Sequence, residues 1–172
     1  TVINRDRWHA IRVRNYEPDL SDVRVALDEV LGPVGIPLIV GDVTGIDLES
    51  RTVSVATEDG ASQTVPYDRL VLAAGSRLHR PGIPGLDEHA FDIDTHDAAA
   101  RLDRHIRALG AGAQTVVIVG GGLTGVELAC EMPARLRAAG VAEASVILVD
   151  AQPHIGSNMG EQAVPVIGDA LQ

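Results

Sequence analysis

The stretch from Thr115 to Glu131 (TVVIVGGGLTGVELACE) constrains the fold of this chain more than any other part of it. Val116 to Val119 are four apolar residues that predict a short buried strand. Gly120, Gly122 and Gly125 follow as G-x-G-x-x-G, and a helical pattern begins at once. In such a motif the first glycine takes a positive φ, the second lets the backbone approach a pyrophosphate, and the third lets helix and strand pack closely. The stretch therefore predicts a strand, a phosphate-binding turn and a helix.

A second predicted strand, Val146 to Asp150, gives the motif its context. An acidic residue at the end of the second strand is the acceptor that the ribose hydroxyls of a dinucleotide need. The helix N-terminus supplies free N–H groups and a positive dipole end to the phosphates. The order of strand, glycine turn, helix, strand and acid predicts a dinucleotide site, with an ordinary ligand-free βαβ turn as the alternative.

Composition excludes several other classes of function. The net charge of −10 argues against nucleic acid and gives no help in binding anionic lipid. A hydrophobic content of 45% is ample for a folded core. Cys130 is the single cysteine, no apolar run approaches the ~20 residues that span a membrane, and no cluster of metal ligands is visible. These features predict a cytoplasmic protein without a metal site.

The remaining elements follow from periodicity and turn signals. We expect a loop between Arg5 and Tyr16, a hairpin with its turn at Asp59-Gly60, and a non-helical connector at Ser76–Leu86 as the best candidate for a domain boundary. The predicted helices are Leu20–Leu31, Asp97–Leu109, the motif helix to about Ala139, and Gln162–Leu171; the predicted strands are Thr1–Ile3, Leu38–Val43, Thr52–Ala56, Thr64–Pro66 and a central strand at Leu70–Ala74. The predicted fold class is α/β, with Rossmann-like dinucleotide-binding units and a small antiparallel β insertion.

Three of these stretches together resemble a known family. The run from Tyr67 to Ser76 (YDRLVLAAGS), then Ile83-Pro84-Gly85, then Gly120 to Glu131 is similar to the FAD-dependent pyridine-nucleotide oxidoreductases, flavoproteins with two dinucleotide-binding domains. Within that family the chain most resembles type II NADH dehydrogenases, through Thr124 to Leu128 and Gly85 to Ala90. The resemblance covers nearly the whole chain.

The family's layout implies that this chain is a central fragment. It would comprise a partial FAD-binding domain at 1–82, a connector and helix at 83–113, and a partial NAD-binding domain at 114–172. Thr1 would lie on the second strand of the FAD domain. The glycine-rich loop for the FAD pyrophosphate would precede it, and the acceptor site would follow Gln172.

The resemblance also implies roles for individual residues. The FAD contacts would be made by Asn4 at the adenosine ribose, Val43 at the adenine, and Ala73, Ala74 and Gly75 where the chain passes close to FAD. The NADH pyrophosphate would lie on Gly120, Gly122, Leu123, Thr124 and Gly125. Glu127 would position the nicotinamide ribose, and Asp150 would bind the adenosine ribose. With no arginine close after Asp150, NADH is favoured over NADPH, because a 2′-phosphate would meet a carboxylate.

The implied function is an NADH dehydrogenase that passes electrons from NADH through FAD to a quinone. The implied cofactors are FAD and NAD, the resemblance allows a homodimer, and the full-length protein would attach peripherally to the inner face of the cell membrane. A ferredoxin- or rubredoxin-type reductase and a non-catalytic nucleotide-binding fragment are the alternatives. A disulfide reductase would need a cysteine pair beside the flavin, whereas Cys130 is alone on a helix face expected to point to the core.

Overall fold

The computed structural model describes residues 1–160 and 162–171. The chain divides into two compact units, one built from 1–11 and 24–79, the other from 12–23 and the chain from Arg80 onward. The first unit contains β1 (Val2–Asn4), β2 (Trp8–Ala10), β3 (Arg24–Ala26), α1 (Leu27–Leu31), β4 (Leu38–Asp47), β5 (Thr52–Thr57) and β6 (Ser62–Pro66). The second contains α2 (Leu86–His89), α3 (His96–Arg107), β7 (Gln114–Val119), α4 (Leu123–Ala138), β8 (Ala144–Val149) and α5 (Ala163–Ala170). This mixture of helices and strands confirms the predicted α/β class.

A mixed four-stranded sheet, in the order β1-β4-β5-β6, organises the first unit. β1 runs parallel to β4, and β4, β5 and β6 are antiparallel, as the predicted hairpin requires. Asp59 stabilises the hairpin turn, because its carboxylate accepts hydrogen bonds from the Thr57 hydroxyl (2.5 Å) and the Ala61 N–H (3.1 Å). Val53 and Val55 are the buried residues of β5. The antiparallel β insertion predicted from the sequence is therefore present.

The predicted helix at Leu20–Leu31 is wrong over its first half. The Asp19 carboxylate accepts from the Ser21 N–H at 2.9 Å in a turn, and β3 follows before the helix begins at Leu27. β3 pairs antiparallel with β2, which lies in the stretch predicted to be a loop. The Arg24 guanidinium also lies 4.6 Å from the centre of the Trp8 ring. The pairing of β2 with β3 decides the secondary structure of this region, and β-branched residues such as Val25 fit a strand well.

The predicted central strand at Leu70–Ala74 is also wrong. These residues hydrogen-bond to no neighbouring strand in the described part of the chain, and Val71 is 86% exposed. The reason is that a strand needs ladder partners for its backbone groups, and apolar side chains alone do not supply them.

The second unit is built on the parallel pair β7 and β8, joined by α4. Its core cluster contains buried side chains from α3, α4 and the turn that follows, namely Ile106, Met132, Leu136 and Val141. The Thr95 hydroxyl caps α3 by accepting from the Ala98 N–H at 3.2 Å. The predicted helices over 97–109, over the motif and over 162–171 are confirmed within a few residues at their ends.

Two predictions of burial in the second unit are wrong. β7 alternates instead of being buried throughout, since Ile118 is 7% exposed and Val119 is 84% exposed. Cys130 is exposed, not turned to the core, because it lies on the flank of α4 that also carries the exposed Ala134 and Arg137. Among the described helices, none has the length and apolar character needed to cross a membrane.

Candidate dinucleotide-binding site

The glycine-rich loop leaves β7 and continues its hydrogen bonding to β8 for one residue. The Gly120 N–H donates to the carbonyl oxygen of Val149 at 2.8 Å. Gly120 has φ +112°, a conformation that side chains disfavour, so the loop turns there as the motif predicts. Gly122 then caps α4, which begins at Leu123. The strand, turn and helix predicted from the sequence are thus present at the predicted positions.

Gly125 allows α4 to approach the loop. A Cβ atom at this position would overlap the carbonyl oxygen of Gly120 and would lie 3.8 Å from Leu148 Cδ1 on β8. Any larger residue would therefore push the helix away from the end of β7. This close approach aims the first turn of the helix at the carboxyl ends of the two strands.

Gly122 has the opposite environment. A Cβ atom here would find no protein atom within 4 Å, so nothing in the described fold requires a glycine at this position. No side chain caps the helix, and Leu123 and Thr124 are exposed. The free amides of the first helical turn and an open approach over Gly122 together form a place where a phosphate fits.

Asp150 closes the loop from the end of β8. One carboxylate oxygen accepts from the N–H of Gly121, and the other accepts from the N–H of Gln152 at 2.7 Å. These two backbone donors, the Gln152 amide first, hold the pKa of Asp150 below its usual range. The carboxylate is therefore ionised at neutral pH and stands at the mouth of the loop, where it can accept hydrogen bonds from a diol.

Sequence reasoning missed Gly121. It occupies a variable position of the motif, yet it is buried, and a Cβ atom there would lie 2.9 Å from both Asp150 Oδ2 and Ile155 Cδ1. The signal was the extra glycine between Gly120 and Gly122, which the motif itself does not require. Gly121 lets the acidic side chain reach the backbone of the loop.

Glu127 lies half-buried one turn into α4. Its charge is one of the causes, after burial, that raise the pKa of the Tyr16 phenol. Tyr16 belongs to the segment 12–23, which packs within the same compact unit. Sequence reasoning gave Tyr16 no role, since the two residues are far apart along the chain.

Two of the predicted FAD contacts lie toward the same edge of the first unit's sheet. Asn4 ends β1 opposite Val40 of β4, and Val43 lies three residues further along β4, at a bulge. The Asn4 side-chain amide donates to the carbonyl oxygen of Asp6 at 2.7 Å, which leaves its own oxygen as an acceptor. Asp42 accepts from Arg5 at 2.6 Å beside them.

The remaining predicted FAD contacts are not joined to that edge by a strand ladder. Ala73, Ala74 and Gly75 are exposed and lie in an irregular segment, with Gly75 at φ +69°. Their assignment, like that of the other site residues, stays a prediction. So does the division into domains at 1–82, 83–113 and 114–172, whose last part includes Glu161 and Gln172, which lie outside the described residues.

The fold and the loop together define a dinucleotide-binding βαβ unit of the Rossmann type. The family model for pyridine nucleotide-disulphide oxidoreductases matches residues 9–172. An NADH dehydrogenase-like protein of Mycobacterium tuberculosis is 49% identical over 180 residues, which is 99% of this chain and 44% of that protein. The chain thus belongs to the pyridine nucleotide-disulphide oxidoreductase family, which confirms the predicted family, and it spans less than half the length of this relative.

More distant similarities extend the comparison. A type II NADH:quinone oxidoreductase of Staphylococcus haemolyticus is 28% identical over 155 residues, covering 79% of this chain and 36% of that protein. The crystal structure of a sulfide:quinone oxidoreductase from Aquifex aeolicus superposes with a TM-score of 0.78 at 20% identity, over 97% of this chain and 41% of that one. At that identity the superposition shows the fold alone.

Proposed function

We propose that the protein is an FAD-dependent NADH oxidoreductase that binds NADH on the loop from Gly120 to Gly125 and passes its electrons to a quinone. The observation that carries the proposal is the contact between Asp150 and the Gly121 amide, which places a carboxylate beside a capless helix N-terminus. The names of the relatives in Mycobacterium and Staphylococcus support an NADH-linked reaction, and the second of them supports a quinone acceptor.

The residues present fit the NADH molecule in three respects. The open space over Gly122 and the free amides of Leu123 and Thr124 suit a pyrophosphate. The two oxygens of Asp150 each accept one backbone hydrogen bond and retain a lone pair for a ribose hydroxyl. The same carboxylate would repel the 2′-phosphate of NADPH.

The FAD contacts are proposed for the first unit. Asn4 and Val43 would hold the adenosine half, and the positive φ of Gly75 would let the backbone of the irregular segment approach the ligand. Bound FAD would supply the redox chemistry, namely hydride transfer from NADH and electron transfer to the acceptor. The chain's own part is to bind and orient the two nucleotides, with Glu127 as a positioning residue.

Binding and spectroscopy of the purified protein test this function. We expect calorimetric titration to give tighter binding of NADH than of NADPH, and we expect bound flavin whose absorbance is bleached by NADH and restored by a soluble quinone. A colourless protein that still binds NADH would limit the function to nucleotide binding. Flavin that is reoxidised by ferredoxin or rubredoxin but not by a quinone would point to the alternative acceptor.

A further inference from the structure

The segment 12–23 is fixed to the second unit by polar contacts at its first residues. Arg12 forms an ion pair with Asp94, just ahead of α3. Asn15 is fully buried, and its side-chain amide donates to the carbonyl oxygen of Ile93 at 2.9 Å. A buried amide held by a main-chain acceptor defines one position for the chain around it.

Arg135 holds the next residue. Its guanidinium, only 4% exposed, donates to the carbonyl oxygen of Tyr16 at 3.2 Å and to the Asp103 carboxylate of α3 at 3.3 Å. Burial lowers the pKa of Arg135, and the charge of Asp103 opposes this effect. Because the planar guanidinium bridges two fixed oxygens, it sets the place of Tyr16 against α4.

The main chain of Tyr16 is consequently held at Arg135, the last residue of a charged stripe on α4. Glu127, Glu131 and Arg135 follow one another at intervals of four residues, so they lie on one flank of the helix. Burial, followed by the charges of Glu127, Glu17 and Glu131, raises the pKa of the Tyr16 phenol, which stays uncharged at neutral pH. Glu17 itself is neutralised by Arg14, through two hydrogen bonds of 2.6 and 2.8 Å. Glu127 lies at the end of the stripe nearest the glycine loop, and its charge acts on the Tyr16 phenol.

The direction of a bound dinucleotide relates this stripe to the ligand. In the proposed complex Asp150 binds the adenosine side, and the two nucleosides of an extended dinucleotide leave the pyrophosphate on different sides. The nicotinamide half then leaves over the first turn of α4, where Leu123 and Glu127 lie four residues apart on one flank.

We infer that the Tyr16 ring forms a wall of the nicotinamide half of the NADH site, with Arg135 as the residue that positions it. The inference rests on the proposed NADH binding. Tyr16 would contact the nicotinamide ring, whereas Arg135 would act only through the main chain of Tyr16 and through Asp103.

Comparison of two ligands on the intact protein tests this inference. ADP-ribose keeps the adenosine, the pyrophosphate and the second ribose but lacks the nicotinamide ring. We expect Tyr16→Ala to weaken NADH binding about three- to tenfold, which corresponds to the loss of one ring contact, and to leave ADP-ribose binding unchanged. Tyr16→Phe, the matched control, keeps the ring and should bind both ligands as the unmodified protein does.

The positioning role of Arg135 has its own pattern. Arg135→Met should reproduce the selective loss of NADH binding, and Arg135→Lys should recover part of it. If Arg135→Met fails to fold, the variants Tyr16→Ala and Tyr16→Phe still test the inference. The Tyr16 side chain is only partly buried, so both variants are expected to fold.

Three outcomes are distinguishable. Equal weakening of NADH and ADP-ribose binding by Tyr16→Ala, or no change in either, overturns the inference but not the proposed function, because the unmodified protein still binds NADH. Loss of NADH binding in Tyr16→Phe also overturns it, since the ring is retained. If the unmodified protein binds neither ligand, the proposed function is wrong, and the inference, which rests on it, is wrong as well.

Discussion

The carboxylate of Asp150 accepts a hydrogen bond from the backbone N–H of Gly121, which lies 29 residues earlier in the chain. The same side chain that is proposed to bind the ribose thus also holds the phosphate loop. Asp150 and the loop therefore form one unit, and a change at either is expected to affect the other.

Nucleotide preference depends on the charge at Asp150. We expect the double variant Asp150→Ser with Ala151→Arg to shift binding from NADH toward NADPH by about tenfold or more, because one charge-assisted hydrogen bond is lost and a partner for the 2′-phosphate is gained. Calorimetric titration with both nucleotides measures the shift. The exposed pair Asp169 and Ala170 on α5 offers a matched control, since Asp169→Ser with Ala170→Arg makes the same chemical change away from the loop. An unmoved preference in the first variant would contradict the assignment of Asp150.

The lowered pKa of Asp150 predicts how the free energy of unfolding changes at acid pH. The unfolded chain, with an ordinary aspartate pKa of about 3.9, binds this proton at a higher pH than the folded chain does. The group's contribution to stability is therefore present above that value and is lost as pH falls through the lower pKa of the folded state. Carboxyl carbon NMR should show Asp150 titrating below the usual range. An Asp150 pKa at or above the ordinary value would speak against the hydrogen bond.

Gly122 separates binding from folding. A Cβ atom at this position meets no protein atom within 4 Å, and its φ of −73° suits any residue. Gly122→Val should keep the thermal melting curve close to that of the unmodified protein and should weaken NADH binding by two orders of magnitude or more, because the side chain would occupy the place of the pyrophosphate. Retained affinity would count against a phosphate site at this loop.

Gly125 should behave in the opposite manner. Gly125→Ala places a methyl group against the Gly120 carbonyl oxygen, so the helix and the loop must separate. Overpacking of this kind costs about 1–3 kcal/mol, and urea denaturation should report a loss of that size with unchanged denaturant dependence. If Gly125→Ala is as stable as Gly122→Val, the close packing of α4 against the Gly120 carbonyl oxygen does not require a glycine at position 125.

Cys130 provides a test of the disulfide-reductase alternative. The thiol is exposed on α4, so a thiol reagent should label it in the folded protein. Cys130→Ser should leave NADH binding and flavin bleaching unchanged, because serine keeps the size of the side chain and a disulfide reductase would need a second cysteine, which this sequence lacks. If this variant no longer reduces flavin, the result would support a redox role for the Cys130 thiol.

The parts of the site that local sequence determines were predictable. The apolar run before Gly120 and the helical pattern after Gly125 lie within one βαβ unit, and each residue's preference agrees with its neighbours. The contact of Gly121 with Asp150 was not predictable in the same way, because it depends on how two loops meet at the ends of β7 and β8.

Errors arose where pairing between distant residues decided the structure. Val23 and Leu27 fit one face of a helix, whereas Val25 between them fits the alternation of a strand, and its pairing with His9 in β2 decides for the strand. Leu70 to Ala74 have the composition of a buried strand, yet composition contains no information about a hydrogen-bonding neighbour. Tyr16 belongs to the same class, since only the folded chain places it beside α4.

The bridge from Arg135 to Tyr16 has a consequence for biosynthesis. Its two residues are separated by 119 positions, so Tyr16 leaves the ribosome long before its partner exists. At about 5–20 residues per second, that delay is on the order of ten seconds, far longer than a helix or hairpin takes to form. The Tyr16 carbonyl oxygen lacks the Arg135 donor until then, whereas β2 and β3 on either side of the segment 12–23 can already pair. The Tyr16 side of the nucleotide site is therefore expected to form only after α4 emerges and Arg135 reaches the Tyr16 carbonyl oxygen.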